Sequence, residues 1–182
     1  MRLTFITGNQ HKADFLAHTL GIPVERKDID LDEIQSLNLL EVVEHKAQSG
    51  SKLTEGPVLV EDISLILHGL GNLPGPLIKW FIKELGNDGL ATLAQTLDNQ
   101  KATATIMYGL IDDKGFHTFE GHTDGRISPT QRGTDGFGFQ DIFIPDGTDK
   151  TFAEMSEKEM LPFYHRIKAI NKLRAYLQAQ NL

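Results

Sequence analysis

A short apolar run over residues 2–6 gives way, within three residues, to Thr7-Gly8-Asn9 and then to a stretch over 11–20. In that stretch Phe15, Leu16, Thr19 and Leu20 fall on one side at helical spacing, and Gly21 and Pro23 close it. Strand, glycine turn and helix in so few residues is the unit from which α/β folds are built. The rest of the chain agrees with it. Residues 24–29 read as a second strand, and Asn38 reads as the N-cap of a helix that turns Leu39, Val42, Val43 and Ala47 inward. Gly56-Pro57 punctuates the chain before Val58-Leu59-Val60, a central strand core, and the Gly/Pro-rich residues 69–76 read as a loop. Helices are expected over 77–85 and 89–97. Strand-like runs at 102–111 and 116–122 flank Asp112-Asp113-Lys114-Gly115 and read as a hairpin, and residues 125–138 as mostly loop. A short strand near 142–144 precedes a final helix over 165–178 carrying Ile167, Ile170, Leu173 and Leu177. The class is α/β, with a mixed sheet that includes an antiparallel hairpin.

No repeat, low-complexity tract or linker interrupts the 182 residues, so one folded domain over 1–182 is the expectation. The absence of cysteine removes zinc ribbons, iron–sulfur sites, thiol nucleophiles and disulfide scaffolds together, and fits a reducing compartment. The first residues run straight into strand-like sequence with no apolar leader, and the longest nearly apolar run, 63–70, is too short to span a bilayer. A cytoplasmic protein without a membrane partner is expected. The net charge of −7, from 18 Lys+Arg against 25 Asp+Glu, argues against a nucleic-acid partner, which needs a basic face. Any phosphate bound must meet a local cluster of cations.

Thr7-Gly8-Asn9-Gln10-His11-Lys12 offers such a cluster: backbone N–H groups at a helix start, a glycine permitting close approach, a hydroxyl, and a Lys one turn in. A plain strand-to-helix turn with a solvated Lys is the competing reading. The G-x-x-x-x-G-K-[ST] loop is absent. Acidic residues gather at Asp28, Asp30, Asp32 and Glu33, and again at Glu61-Asp62, where a buried strand is expected to end. The first group fails as an EF-hand, because Glu33 stands at the sixth loop position and Leu39 at the twelfth; a solvated loop is its other reading. Carboxylates at strand ends suit a hard cation such as Mg²⁺. Lys46 and Lys79 lie on expected helices and matter only jointly. Phe137-Gly138-Phe139 offers a ring for a base to stack on or a satellite of the core. Tyr164-His165-Arg166 opens the last helix with cations that its dipole does not favour, which hints at a ligand. G-x-S-x-G, H-E-x-x-H and the dinucleotide glycine spacing are missing.

Taken in order, Thr7-Gly8-Asn9-x-x-Lys12, Asp30-Leu31-x-Glu33, residues 41–46, Pro57-Val58-Leu59-Val60-Glu61-Asp62, Leu73-Pro74-Gly75-Pro76-x-Ile78-Lys79-Trp80-Phe81, residues 121–127, Phe137-Gly138 and His165-Arg166 resemble the inosine-triphosphate pyrophosphatase family nearly end to end. The resemblance implies a single two-lobed domain with a mixed, curved β-sheet flanked by helices, working as a homodimer with Mg²⁺ in a cleft. It further implies hydrolysis of non-canonical purine nucleoside triphosphates, such as ITP, dITP and XTP, to the monophosphate and pyrophosphate. By the same resemblance Thr7, Gly8, Asn9 and Lys12 hold the phosphates, with charge added by Lys46 and Lys79. Glu33 and Asp62 hold Mg²⁺, and Asp62 also orients or deprotonates the attacking water, so that Asp62 and Lys12 are the catalytic pair. Phe137 stacks on the base beside Gly138 and Gln140, and His165 and Arg166 donate to its 6-keto oxygen, which rejects the amino group of adenine.

Four positions depart from the family's pattern. Gln140 stands where Asp is usual, Tyr164 where Ser is, Met160 where Lys is, and Ile63 where Ser or Thr is. Lys158, two residues before Met160, is a candidate replacement for the missing cation. With these changes in the substrate site, two alternatives stay open: a pyrophosphatase of altered base preference, for instance for a modified pyrimidine, and a nucleotide-binding protein of the same fold without catalysis.

Overall fold

The computed structural model describes residues 3–134 and 136–180. The expected opening unit is present: strand β1 (Leu3–Ile6), helix α1 (Gln10–Leu20) and strand β2 (Val24–Lys27). Arg2, expected in β1, and Asp135, expected in the loop over 125–138, lie outside the described residues. Gly21 ends α1 in the left-handed region at φ 73°, its N–H closing on the Ala17 carbonyl at 2.9 Å. Helix α2 (Leu39–Ser51) starts at Asn38, whose side chain accepts from the Leu40 N–H at 3.0 Å, and it buries Val42, Val43 and Ala47 as its spacing requires.

Strand β3 (Val58–Leu67) corrects the sequence reading: it does not end at Asp62 but continues through buried Ser64, Leu65 and Leu67. The loop expected over 69–76 contains a 3₁₀ turn (His68–Leu70) and a two-residue strand β4 (Pro74–Gly75), because Leu65 and Ile66 offer it an edge to pair with. Helix α3 (Ile78–Gln95) is the two expected helices joined across Gly86, which breaks the helical path at φ 66° and ψ 175°. Strands β5 (Lys101–Asp112) and β6 (Gly115–Ile127) form the expected hairpin, with β6 claiming residues 125–127 from the expected loop. Strand β7 (Phe143–Pro145) and helix α5 (His165–Ala179) stand where they are expected. A 3₁₀ turn (Phe152–Glu154) and the single turn α4 (Glu157–Met160) between them are additional. In α5 the buried apolar positions are Ala169, Ile170, Leu173 and Leu177, so Ala169 takes the inward place expected of Ile167.

The sheet order is β2-β1-β3-β5-β6-β7 with β4 on β3; β1 pairs parallel to β2 and β3, and the β3–β4 and β6–β7 pairs are antiparallel. The class is mixed α/β. The chain forms two compact units, each assembled from separated segments, which explains why no linker marks a boundary. The first takes the described residues of Met1–Asp62, Ile106–Gly121 and Arg166–Leu182; the second takes Ile63–Thr105 and His122–His165.

In the first unit the period-2 alternation of strands divides the core in two. Leu3, Phe5, Leu59, Ile106, Tyr108 and Leu110 face α1 and α5, whereas Ile6, Val58, Val60 and Met107 face α2. Strands covered on both faces must read as continuous apolar runs, as residues 58–60 do. The second unit has one core, in which Leu65, Leu67, Ala102, Ala104 and Ile127 pack under α3 with Phe139, Ile142, Phe143 and Phe152. There, Gly125 on β6 lies so close to β7 that a Cβ would overlap the Ile144 carbonyl oxygen and stand 3.0 Å from the Phe143 ring. Backbone cannot yield as a side chain does. Gly125→Ala is therefore expected to destabilise the protein by about 1–3 kcal/mol, read as a lower midpoint of urea unfolding with an unchanged slope.

Candidate active site

The turn after β1 is stiffened by its own side chains. Thr7 Oγ1 accepts from the Asn9 N–H at 3.2 Å, and Asn9 Oδ1 caps α1 by accepting from the Lys12 N–H at 3.2 Å. Arg26 on β2 reaches across to the Thr7 carbonyl at 3.2 Å and to Asp28 at 3.3 Å. At Gly8 a Cβ would lie 3.2 Å from Oδ1 of the exposed Asp28 side chain, a tight approach that a small shift of that carboxylate relieves. Asp30 and Asp32 are exposed, as the solvated reading of that acidic run requires.

Glu61 and Asp62, adjacent on β3, point to opposite faces of it, and each meets a different cation. Glu61 follows Leu59 toward α1 and α5. Lys12 Nζ lies 2.8 Å from one of its carboxylate oxygens, and the Arg166 guanidinium donates to the other while also donating to Tyr108 Oη at 2.9 Å. Burial alone raises the Glu61 pKa, but the guanidinium and the ammonium outweigh it and hold it at about 2. Burial, and then the neighbouring Glu61 charge, push the Tyr108 phenol well above its ordinary value. Asp62 follows Val60 toward α2, where Lys46 Nζ stands 3.1 Å from it, 3.0 Å from Glu33 and 3.3 Å from the Glu61 carbonyl. Burial lowers the Lys46 pKa, yet Asp62 and Glu33 raise it further, so the ammonium stays charged.

Two carboxylates from distant parts of the chain thus converge on one cationic centre. Hard oxygen donors in that arrangement fit Mg²⁺, which takes one or two protein carboxylates and fills its shell with water and substrate phosphates. Among the described residues no group of three or more His, Asp or Glu gathers as a metal cage.

The second unit holds the other expected site residues. Phe137 is 59% exposed on a turn closed by the Gln140 N–H to Phe137 carbonyl bond at 3.3 Å, with Gly138 at φ 65°. The Gln140 side chain ties the turn from inside: Oε1 accepts from the Phe137 N–H at 2.8 Å and Nε2 donates to Tyr164 Oη at 2.9 Å. Asn87, just past the α3 break, donates to the Gly138 carbonyl and to Asp141 Oδ1, both at 2.6 Å. His165 is buried among rings, with Phe139 stacked at 6.4 Å and Phe152 and Tyr164 edge-on at 5.9 and 5.0 Å between centroids. Lys79 is exposed in the first turn of α3, its ammonium 5.9 Å from the Trp80 ring centre.

The first unit therefore gathers Thr7, Gly8, Asn9, Lys12, Glu33, Lys46, Asp62 and Arg166, and the second gathers Phe137, Gly138, Gln140 and His165, with Lys79 on α3. Two contributors, Tyr108 and Asn87, are not singled out by the sequence, and Glu61 is singled out there without its partners. Glu61 was visible as an acid in a buried strand, but its partner Arg166 is 105 positions away. Tyr108 sits within an apolar strand and Asn87 within a helix, and neither carries a local signal.

The Ham1 family model matches residues 3–176. The inosine triphosphate pyrophosphatase of Schizosaccharomyces pombe is 38% identical over 98% of this chain and 96% of its own length. The dITP/XTP pyrophosphatase of Methanopyrus kandleri is 37% identical over 94% of each. A solved HAM1 protein from Coxiella burnetii superposes with a TM-score of 0.84 at 21% identity, over 98% of this chain and 99% of that one.

The depressed Glu61 pKa has a fixed sign. Its stabilising contribution is fully present above the ordinary carboxylate value of 4.5 and is lost as pH falls toward about 2. Glu61→Gln leaves Arg166 without its carboxylate and is expected to cost about 3–5 kcal/mol at neutral pH. The same variant should flatten the fall in stability below pH 4.5, measured by urea unfolding between pH 7 and 3.

Proposed function

The chain belongs to the Ham1 family, and we propose from that membership that it hydrolyses non-canonical nucleoside triphosphates, ITP, dITP and XTP among them, to the monophosphate and pyrophosphate. The names of its relatives point to this substrate class. The observation that carries the reading is the convergence of Glu33 and Asp62 on the Lys46 ammonium, beside a capped turn that presents Lys12. A triphosphate needs local positive charge in a protein whose total is −7, and these lysines supply it.

In this reading Thr7, Gly8 and Asn9 offer the phosphates a hydroxyl and backbone N–H groups. Lys12, Lys46 and Lys79 neutralise the triphosphate and the leaving pyrophosphate. Glu33 and Asp62 would hold Mg²⁺, which when bound supplies Lewis-acid charge to the phosphoryl oxygens. The Asp62 carboxylate orients the water that attacks the α-phosphorus and accepts its proton. Phe137 stacks on the base, and His165 and Arg166 favour a 6-keto group.

The reading extends to a homodimer in the cytoplasm. Leu73, Trp80 and Leu85, exposed on and before α3, supply apolar surface for a second copy. Among the described residues no helix is long and apolar enough to cross a membrane.

A pyrophosphate-release assay over ITP, dITP, XTP and the canonical triphosphates tests the activity, and removal of divalent cations with EDTA should abolish it. Asp62→Asn should lower kcat by at least about 100-fold with an unchanged unfolding midpoint; more than about a tenth of the activity remaining would exclude the carboxylate from the chemistry. Light scattering should give twice the chain mass of 20.3 kDa.

A further inference from the structure

Asn87 is placed at a cost. Gly86 alone leaves the helical path of α3, so Asn87 opens the second half of that helix, where an asparagine is a poor helix former. Its Oδ1 is buried with no hydrogen-bond partner among the described residues, a loss that a native fold carries only where something offsets it. Both protons of its amide nitrogen are donated to one small region, one to the Gly138 carbonyl and one to Asp141 Oδ1, each at 2.6 Å. A carbonyl oxygen can only accept, so the atom that faces Gly138 must be the amide nitrogen, and the orphaned atom is Oδ1.

Asp141 is the centre of this arrangement. Its Oδ1 takes the Asn87 proton, its Oδ2 accepts from the Gln131 amide, and its carbonyl accepts from the Arg132 N–H at 2.8 Å. Beside it runs the turn over 137–140, which Gly138 enters at φ 65° and the Gln140 N–H closes on the Phe137 carbonyl. The packing is close, since a Cβ at Gly136 would stand 3.1 Å from the Asp141 nitrogen. Phe137 is 59% exposed, so burial does little to fix the backbone that carries it, and the bonds of Asn87 and Asp141 do that instead.

We propose that Asn87 and Asp141 are positioning residues for the Phe137 turn: acting through Gly138, they set the height and tilt at which the Phe137 ring meets a stacked base. This deepens the pyrophosphatase reading above and rests on it for the substrate and for the role of the ring. Every base presents a π-face, so the pair affects affinity for all bases alike and not the choice between them. Its loss removes binding that ground state and transition state share, which raises KM and leaves kcat in place.

Two acceptors are needed at position 141, because both side chains that meet its carboxylate do so through amide nitrogens. Asp141→Asn keeps the shape but offers one acceptor and one donor, and so sets its own amide protons against those of Asn87 or Gln131. Asn87→Ala removes the other half of the pair and both of its donated bonds.

The test is a double-mutant cycle on Asn87 and Phe137. Pyrophosphate release from ITP and from XTP is measured in the wild type, Asn87→Ala, Asp141→Asn, Phe137→Ala and the Asn87→Ala, Phe137→Ala double variant, with thermal unfolding as the folding control. Asn87→Ala should raise KM about tenfold for both substrates while kcat changes less than about twofold, and Asp141→Asn should move KM the same way. In the Phe137→Ala background, Asn87→Ala should add less than about twofold. A merely structural Asn87 would act as strongly in that background, or would lower kcat in step with Tm, and either result overturns the proposal. A KM in Phe137→Ala equal to that of the wild type overturns it as well. IMP binding by calorimetry in the same proteins separates this proposal from the hydrolytic reading. The same pattern in Kd, in a wild type that releases no pyrophosphate, would overturn hydrolysis and leave the positioning pair standing, whereas neither binding nor turnover would overturn both.

Discussion

The fold of the first unit turns on a buried carboxylate. Glu61 is 8% exposed in the middle of a strand, and a lone charge there would be driven to protonate. Instead α1 delivers Lys12, α5 delivers Arg166, and β5 delivers the Tyr108 hydroxyl that takes up another guanidinium proton. Three elements distant in sequence are thereby placed in register on β3. Neither cation alone would repay the desolvation of the carboxylate, so the network forms as a whole. It also ties down the first turn of α1, next to the capped turn at Thr7-Gly8-Asn9.

The alternation of β3 converts that structural constraint into a division of labour. Two neighbouring carboxylates meet opposite surroundings: Glu61 is enclosed and ionised at neutral pH, while the Asp62 side chain, 19% exposed, shares Lys46 with Glu33, whose side chain is 48% exposed. Environment, not residue type, assigns the roles. A carboxylate held by a buried guanidinium and a half-buried ammonium stays ionised and is a poor acceptor for a proton from water at neutral pH. In the proposed reading, Asp62 and Glu33, which share the Lys46 ammonium, are the carboxylates that would turn to a metal.

What the sequence made legible follows from the range of each signal. Asn38, Gly21 and the spacing of Leu173 and Leu177 act within a turn or two of their own position, and the helices they define are found close to where they are expected. The extent of β3 was hidden because Glu61-Asp62 reads as the end of an apolar run, when the charges are matched by cations from elsewhere. The turns at Phe152–Glu154 and Glu157–Met160 rest on two successive capping boxes, Thr151 with Glu154 and Ser156 with Glu159, in a stretch too short to show a period. At the site, the residue types were visible and the pairings were not. Lys46 reaches Glu33 and Asp62 across 13 and 16 positions, and Asn87 reaches Gly138 across 51.

The four departures from the pyrophosphatase pattern all fall in the second unit, and the residues that match it in the ion-paired cluster, Lys12, Glu33, Lys46 and Asp62, all fall in the first. The departures are accommodated locally. Ile63 and Met160 pack against the core around Phe139 and Phe143, so the apolar side chains find apolar neighbours, and Gln140 and Tyr164 bond to each other. The ion pairs of Glu61 with Lys12 and Arg166, and of Lys46 with Glu33 and Asp62, are made between side chains of the first unit.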